Sequence, residues 1–255
     1  MTRKLGKLAP KPHPKALKLS RYITGLPAPP AKVYREYKIP NQAWGMDAND
    51  KVGDCTCAAA AHMLMLVTSH TGTIVVPTTE QVLGLYSAVT GYDASQTLPD
   101  GSNPTDNGAA VSDVLEYWRT QGLAEHKILA WAQIDHKNLV QIKQAIWLFG
   151  AVDIGVNLPS SAMLQVQNNQ PWDIVEPDGG NDGGHCIPLF GYGSDGTTSV
   201  TWGALQQMSW DWYLKYCDEA YAVITPDWFD QVTQKTPSGF DIATLQSDLT
   251  RLREG

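Results

Sequence analysis

Long apolar runs are missing from this chain. None is long enough to span a bilayer. The basic start, MTRKLGKLAPKPHPKALKL, also lacks the apolar stretch of about 7–15 residues that a secretory signal needs. A cytoplasmic location is the expectation. Cysteine is scarce: Cys55, Cys57, Cys186 and Cys217 permit two disulfides at most. A chain of 255 residues buries enough core to do without them, so free thiols are expected. No internal repeat is present. Acid is nearly absent from residues 1–40, where Glu36 stands against ten Lys/Arg.

That scarcity splits the charge. The first 40 residues carry +9, which leaves −16 on the remainder of a chain whose net charge is −7. An acidic body argues against nucleic acid as the main partner. A basic arm can touch phosphates or lipid headgroups, or lie back on the acidic body. Residues 1–40 also hold seven of the sixteen prolines. Proline removes a backbone donor and disfavours helix before it, so an extended arm is predicted.

Residues 41–54 read as loop. CTCAAAAHMLMLVTSH follows as a helix capped by Asp54, apolar all round and therefore buried, ending at His70, Thr71 and Gly72. Further helices are predicted at 78–90, capped by Thr78 or Thr79, at about 109–121, and at 135–149, capped near Asp135. Alternation and β-rich composition predict strands at 151–158, 186–193, 198–203 and 219–225. Helices first and mostly antiparallel strands later make an α+β layout of two lobes. The expected divisions are an arm at 1–40, a body at 41–230 split near 150, and a tail at 231–255 with a short amphipathic helix through Leu245, Leu249 and Leu252.

Two short segments carry chemistry. In Gly53-Asp54-Cys55 the thiol sits in the first turn of a buried helix. There the helix dipole and unpaired N–H groups favour the reactive thiolate. Taken alone, Cys55 reads equally as a small buried hydrophobe. In GGNDGGHCIPLFGYG, four glycines in six residues deliver His185 to a predicted strand and leave room around the imidazole.

Together these segments resemble the papain-like cysteine peptidases. Cys55 and His185 are 130 residues apart, within the spacing of about 130–150 found in that family. Asn49, six positions before Cys55, looks like the amide that helps form the oxyanion hole. Cys186 to Gly193 is similar to the strand after the catalytic His. Ser199 to Gly203 and Glu219 to Ile224 resemble two later segments. Asp106-Asn107-Gly108 stands where the family places a substrate-binding loop.

The resemblance implies a papain-like two-lobe fold, with the nucleophile on the helical lobe and an antiparallel β lobe behind it. It also implies acyl transfer on a peptide or protein substrate without a cofactor. Cys55 would be the nucleophile, His185 the base, and Asn49 an oxyanion donor. Asn107, Gly108, Gly184 and Trp202 would contact substrate. The chain departs from the pattern at Val52, Thr56 and Val200. Val200 occupies the place of the Asn that orients the imidazole and cannot accept a hydrogen bond. Thr201 is the expected substitute.

Other readings stay open. Cys57 is an alternative nucleophile. Cys55, Cys57, His185 and Cys186 offer four N/S donors to a metal, although C-x-C is not the usual knuckle. A silent papain fold used for binding is a third. His62 and His70 are expected to pack or end the helix rather than catalyse. A further open reading has the basic arm cover the cleft until it is removed, on the ground of its charge opposition to the body.

Overall fold

The computed structural model describes residues 3–13, 16–21, 28–230 and 235–238. The predicted C-terminal helix lies outside them. A seven-stranded sheet forms the body, built from β1 (Leu17–Lys18), β2 (Ala130–Gln133), β3 (Val152–Pro159), β4 (Asn181–Tyr192), β5 (Gly196–Thr201), β6 (Ala204–Ser209) and β7 (Cys217–Ile224). Its order is β1-β2-β7-β3-β4-β5-β6. β1 runs parallel to β2, and the other pairings are antiparallel.

Among the described residues six α-helices accompany the sheet: α1 (Cys55–Thr71), α2 (Thr79–Thr90), α3 (Val111–Thr120), α4 (Leu139–Phe149), α5 (Ser160–Gln167) and α6 (Trp210–Tyr216). Residues 55–68 of α1 are buried on every face, as its composition predicts. The helix packs on β4 and against α2 and α3. Ala58 to Ala61 keep its first turns thin, while Met63 to Val67 fill the core. Each of those larger side chains contributes about 1.5–3 kcal/mol through burial.

The caps follow the sequence unevenly. Thr78 accepts from the Gln81 N–H and Gln81 returns the bond, a complete capping box on α2. The cap of α4 is Asn138, whose Oδ1 accepts from Gln141 N at 3.2 Å. Asp135 was the expected cap; it instead accepts from Lys137 N in a turn before the helix. Asp54 occupies the N-cap position of α1 without bonding the first-turn N–H groups.

The β lobe holds more structure than its composition announces. Asn181–Gly184 was expected to be a loop; it is the start of β4, paired with β3 through Pro159↔Asn181 and Asn157↔Gly184. His185 therefore lies within a strand, not at a loop–strand junction. β2, β6, α5 and α6 are further additions. The arm does not dangle. Val33 pairs with Tyr192, Leu17 and Lys18 form β1, and residues 3–8 enter the cleft.

Candidate active site

The loop before Cys55 is tied down on two sides. Asp106 accepts from Gly53 N with both carboxylate oxygens, at 3.0 and 3.1 Å, and from Tyr86 Oη at 2.7 Å. Tyr86 Oη in turn accepts from Gly108 N at 2.8 Å. This Tyr86–Asp106 clamp locks the turn before Cys55 to the 105–109 loop. Asp106, expected from the sequence in a substrate-binding loop, is the anchor of this clamp. Its only signal was an acid beside Asn-Gly.

Cys55 is the first residue of α1 and is 1% exposed. Burial pushes its thiol up to about 12, against the backbone N–H groups of Cys186 and Gly6 that hydrogen-bond the sulfur. The Cys186 contact sets the sulfur beside the strand residue that follows His185. Cys57 lies deeper in the helix, with its sulfur 3.9 Å from Thr56 Oγ1, and burial drives its thiol well above the ordinary range. All four cysteines are free and buried.

His185 Nε2 lies 2.7 Å from Thr201 Oγ1. Its ring stacks on Trp202 at 4.4 Å between centroids and 13° between planes. A proton on Nε2 directed at Thr201 leaves Nδ1 as the basic nitrogen. Nδ1 is buried without a hydrogen-bond partner. Burial lowers the imidazole to about 3. Buried in this way, thiol and imidazole both favour their neutral forms at pH 7. Val200 is buried and pairs with Leu205, so the neighbouring Thr201 alone of the two meets the ring.

The expected oxyanion donor is occupied elsewhere. Asn49 Nδ2 donates to Val52 O at 3.1 Å and to Asp54 Oδ1 at 3.2 Å. Both amide hydrogens are spent, because Asp54 turns its carboxyl to Asn49 instead of capping α1. Burial raises the Asp54 carboxyl well above the ordinary range. The N–H groups at the head of α1 are left without a side-chain cap.

Residues 3–8 fill the cleft as extended backbone. Lys4 N donates to Asn49 O at 2.9 Å, and Trp202 Nε1 to Lys4 O at 3.4 Å. Ala109 N donates to Gly6 O at 2.8 Å, Leu8 N to Ala109 O at 3.0 Å, and Lys7 N to Gly184 O at 3.0 Å. Lys7 thus runs parallel to Ala109. Only glycine passes over the turn before Cys55, since a Cβ on Gly6 would fall 1.8 Å from Gly53 O. Gly108 makes the matching space with φ +76°, where a Cβ would meet Gly6 O at 2.2 Å.

Of the expected contact residues, Gly108, Gly184 and Trp202 touch this segment. Asn107 is exposed and turns its amide back to Pro104 O, and Ala109 makes the main-chain bonds instead. His62 and His70 are packing groups. His62 Nε2 bonds Gly45 O at 2.9 Å, and His70 Nε2 bonds Arg35 O at 2.7 Å. Among the described residues, no group of three or more His, Cys, Asp or Glu is arranged to hold a metal ion. Cys186 Sγ donates to Asp153 Oδ1 at 3.1 Å, away from any shared centre with Cys55 and His185. No helix among the described residues is long and apolar enough to cross a membrane.

A buried helix that begins at Cys55, set against a mostly antiparallel sheet that carries His185, has the papain-like fold, and the chain is a divergent example of it. It is similar to xylellain, a cysteine protease from Xylella fastidiosa, with a TM-score of 0.64 at 14% identity over 88% of this chain and 98% of that one. Procathepsin B S9 from Trypanosoma congolense gives 0.56 at 8% identity, over 87% and 86% of the two chains. The Carica candamarcensis cysteine protease CMS1MS2, solved in complex with E-64, gives 0.53 at 13% identity, over 77% and 99%. No protein-family model and no curated protein sequence matches the chain.

Proposed function

We propose that this protein is a thiol hydrolase that cleaves peptide bonds through Cys55 and His185 and is held closed by its own residues 3–8. One observation carries the reading. The Cys55 sulfur at the head of α1 accepts from the backbone N–H of Cys186, the residue after His185, and Gly6 of a segment bound by main-chain hydrogen bonds lies over it, while Thr201 and Trp202 hold the imidazole. A cleft that binds backbone in this way suits a peptide substrate.

With the arm displaced, water re-enters and the burial that keeps thiol and imidazole neutral is relieved. Cys55 transfers its proton to His185, and the thiolate attacks the substrate carbonyl. Helix-head N–H groups hold the oxyanion, and His185 protonates the leaving amine. Water then hydrolyses the thioester with His185 as base. The fold neighbours are described as cysteine proteases, in keeping with this chemistry.

Thr201 in place of a carboxamide favours a second reading, binding without catalysis. Turnover of a fluorogenic peptide amide separates the two. The intact chain with its arm loosened is expected to turn it over, with Cys55→Ser and His185→Ala each reducing the rate to background. Undiminished turnover in Cys55→Ser would contradict the proposal.

A further inference from the structure

The Lys7 side chain does not reach solvent. It is 1% exposed, with Nζ 3.0 Å from Asp218 Oδ2, 3.2 Å from Glu219 Oε1 and 3.1 Å from Leu8 O. The pocket that takes it is built for its length and charge. Gly155 on β3 supplies the space, since a Cβ there would fall 2.7 Å from the Lys7 methylenes. Tyr221 Oη donates to Glu219 Oε2 at 2.7 Å and Asn157 Nδ2 to Asp218 Oδ2 at 3.1 Å, so both carboxylates are held in place. Burial opposes charge on Lys7, yet the attraction of Glu219 and Asp218 outweighs it and keeps the ammonium above its ordinary value.

We infer that this pocket is a specificity subsite for a lysine or arginine side chain of the substrate, and that Lys7 is its internal occupant. The reading rests on the proposed peptidase activity only for the position it assigns in a substrate. Gly6 faces Cys55, while Arg3 and Lys4 lie by Trp202 at one end of the cleft. Lys7 lies by Gly184 and Ala109 at the other end. A substrate whose acyl part follows Gly184 and Ala109 therefore sends its second residue before the scissile bond into the pocket. The main-chain bonds to Gly184 and Ala109 are indifferent to sequence, so selectivity falls to the side-chain pocket. An apolar occupant would leave Glu219, 2% exposed at its side chain, without a cation. An acidic occupant would add a third negative charge.

Two measurements on the full chain test this. The first needs no catalysis. Hydrogen–deuterium exchange at the Lys7 and Leu8 amides is expected to quicken by about tenfold or more in Lys7→Met, which keeps length and loses charge, and in Asp218→Asn/Glu219→Gln. Lys7→Arg is expected to stay protected. Thermal melts confirm that each variant is folded. Protection retained in Lys7→Met would overturn the inference.

The second uses Lys7→Ala with aminomethylcoumarin amides of Xaa-Gly, where Xaa is Lys, Arg, Leu or Glu. The expected kcat/KM favours Lys and Arg over Leu by at least about 30-fold, and Glu219→Gln collapses that ratio. A preference for Leu would sink the subsite and leave the peptidase reading intact. No turnover of any amide, with Cys55 inert to a thiol-directed epoxide, would sink the peptidase reading. The exchange result would still decide whether the pocket selects a cation.

Discussion

Thr201 carries the weakest link in the proposed chemistry, because a hydroxyl holds the imidazole where a carboxamide or carboxylate would hold it more firmly. Removing that hydroxyl leaves only the Trp202 face to fix the ring. Thr201→Val is expected to lower kcat by about tenfold or more with little change in KM, and Thr201→Ser to restore most of it. Steady-state kinetics on peptide amides check both. Asp153 offers a test that needs no substrate. Burial pushes its carboxyl up to about 8. The folded state then holds a proton that the unfolded state releases near pH 4, so this stabilisation is present below pH 4 and is lost as pH rises through 8. Asp153→Asn stays neutral and keeps an acceptor for the Cys186 thiol. Its stability relative to the parent should therefore climb by a few kcal/mol between pH 4 and pH 8 in denaturant titrations. A constant gap would contradict the assignment. The helix start at Cys55 and the Thr201 contact to His185 were legible, because helix position and hydrogen-bonding capacity are local properties. Asn49 was legible as a position but not as a geometry, because its amide goes to Asp54, and that contact depends on how the 47–54 loop closes.

At the scale of elements, α1 was readable from end to end, since four alanines followed by large apolar residues specify a buried helix. β4 was not. Asn, Asp and Gly at 181–184 are poor strand formers, and pairing with β3 overrides that preference. β6, with the sequence ALQQMS, has no β-branched residue and is fixed by its hairpin with β5. The arm segment is the element on which the proposed closed state depends. Gly6→Val cannot pass Gly53 and should expel residues 3–8 from the cleft. Iodoacetamide labelling of Cys55 at pH 7 is then expected to rise by about tenfold or more, because the closed chain holds the thiol near 12 and a solvated cysteine titrates near 8.5. Equal labelling in Gly6→Val and the parent would show that the arm does not shield the sulfur.

Across the whole molecule, the charge split visible in the sequence becomes a contact. The basic arm lies on the acidic body, with Lys7 against Asp218 and Glu219 and Lys11 against Asp113. The sign of that pairing was legible from composition; its place, over the proposed nucleophile, was not, because no local property of Leu5-Gly6-Lys7 distinguishes a cleft segment from any exposed loop. A papain-like fold thus carries a proposed Cys55–His185 pair beneath an internal segment of the same chain. The most direct test is the intact mass and peptide map of the chain after exposure to E-64 at neutral pH, in the parent, in Gly6→Val and in Gly6→Val/Cys55→Ser. A single adduct on Cys55 that grows when the arm is expelled, and is lost with Cys55→Ser, is the predicted result. An adduct on Cys57, or none while a small alkylating agent still reaches Cys55, would contradict it.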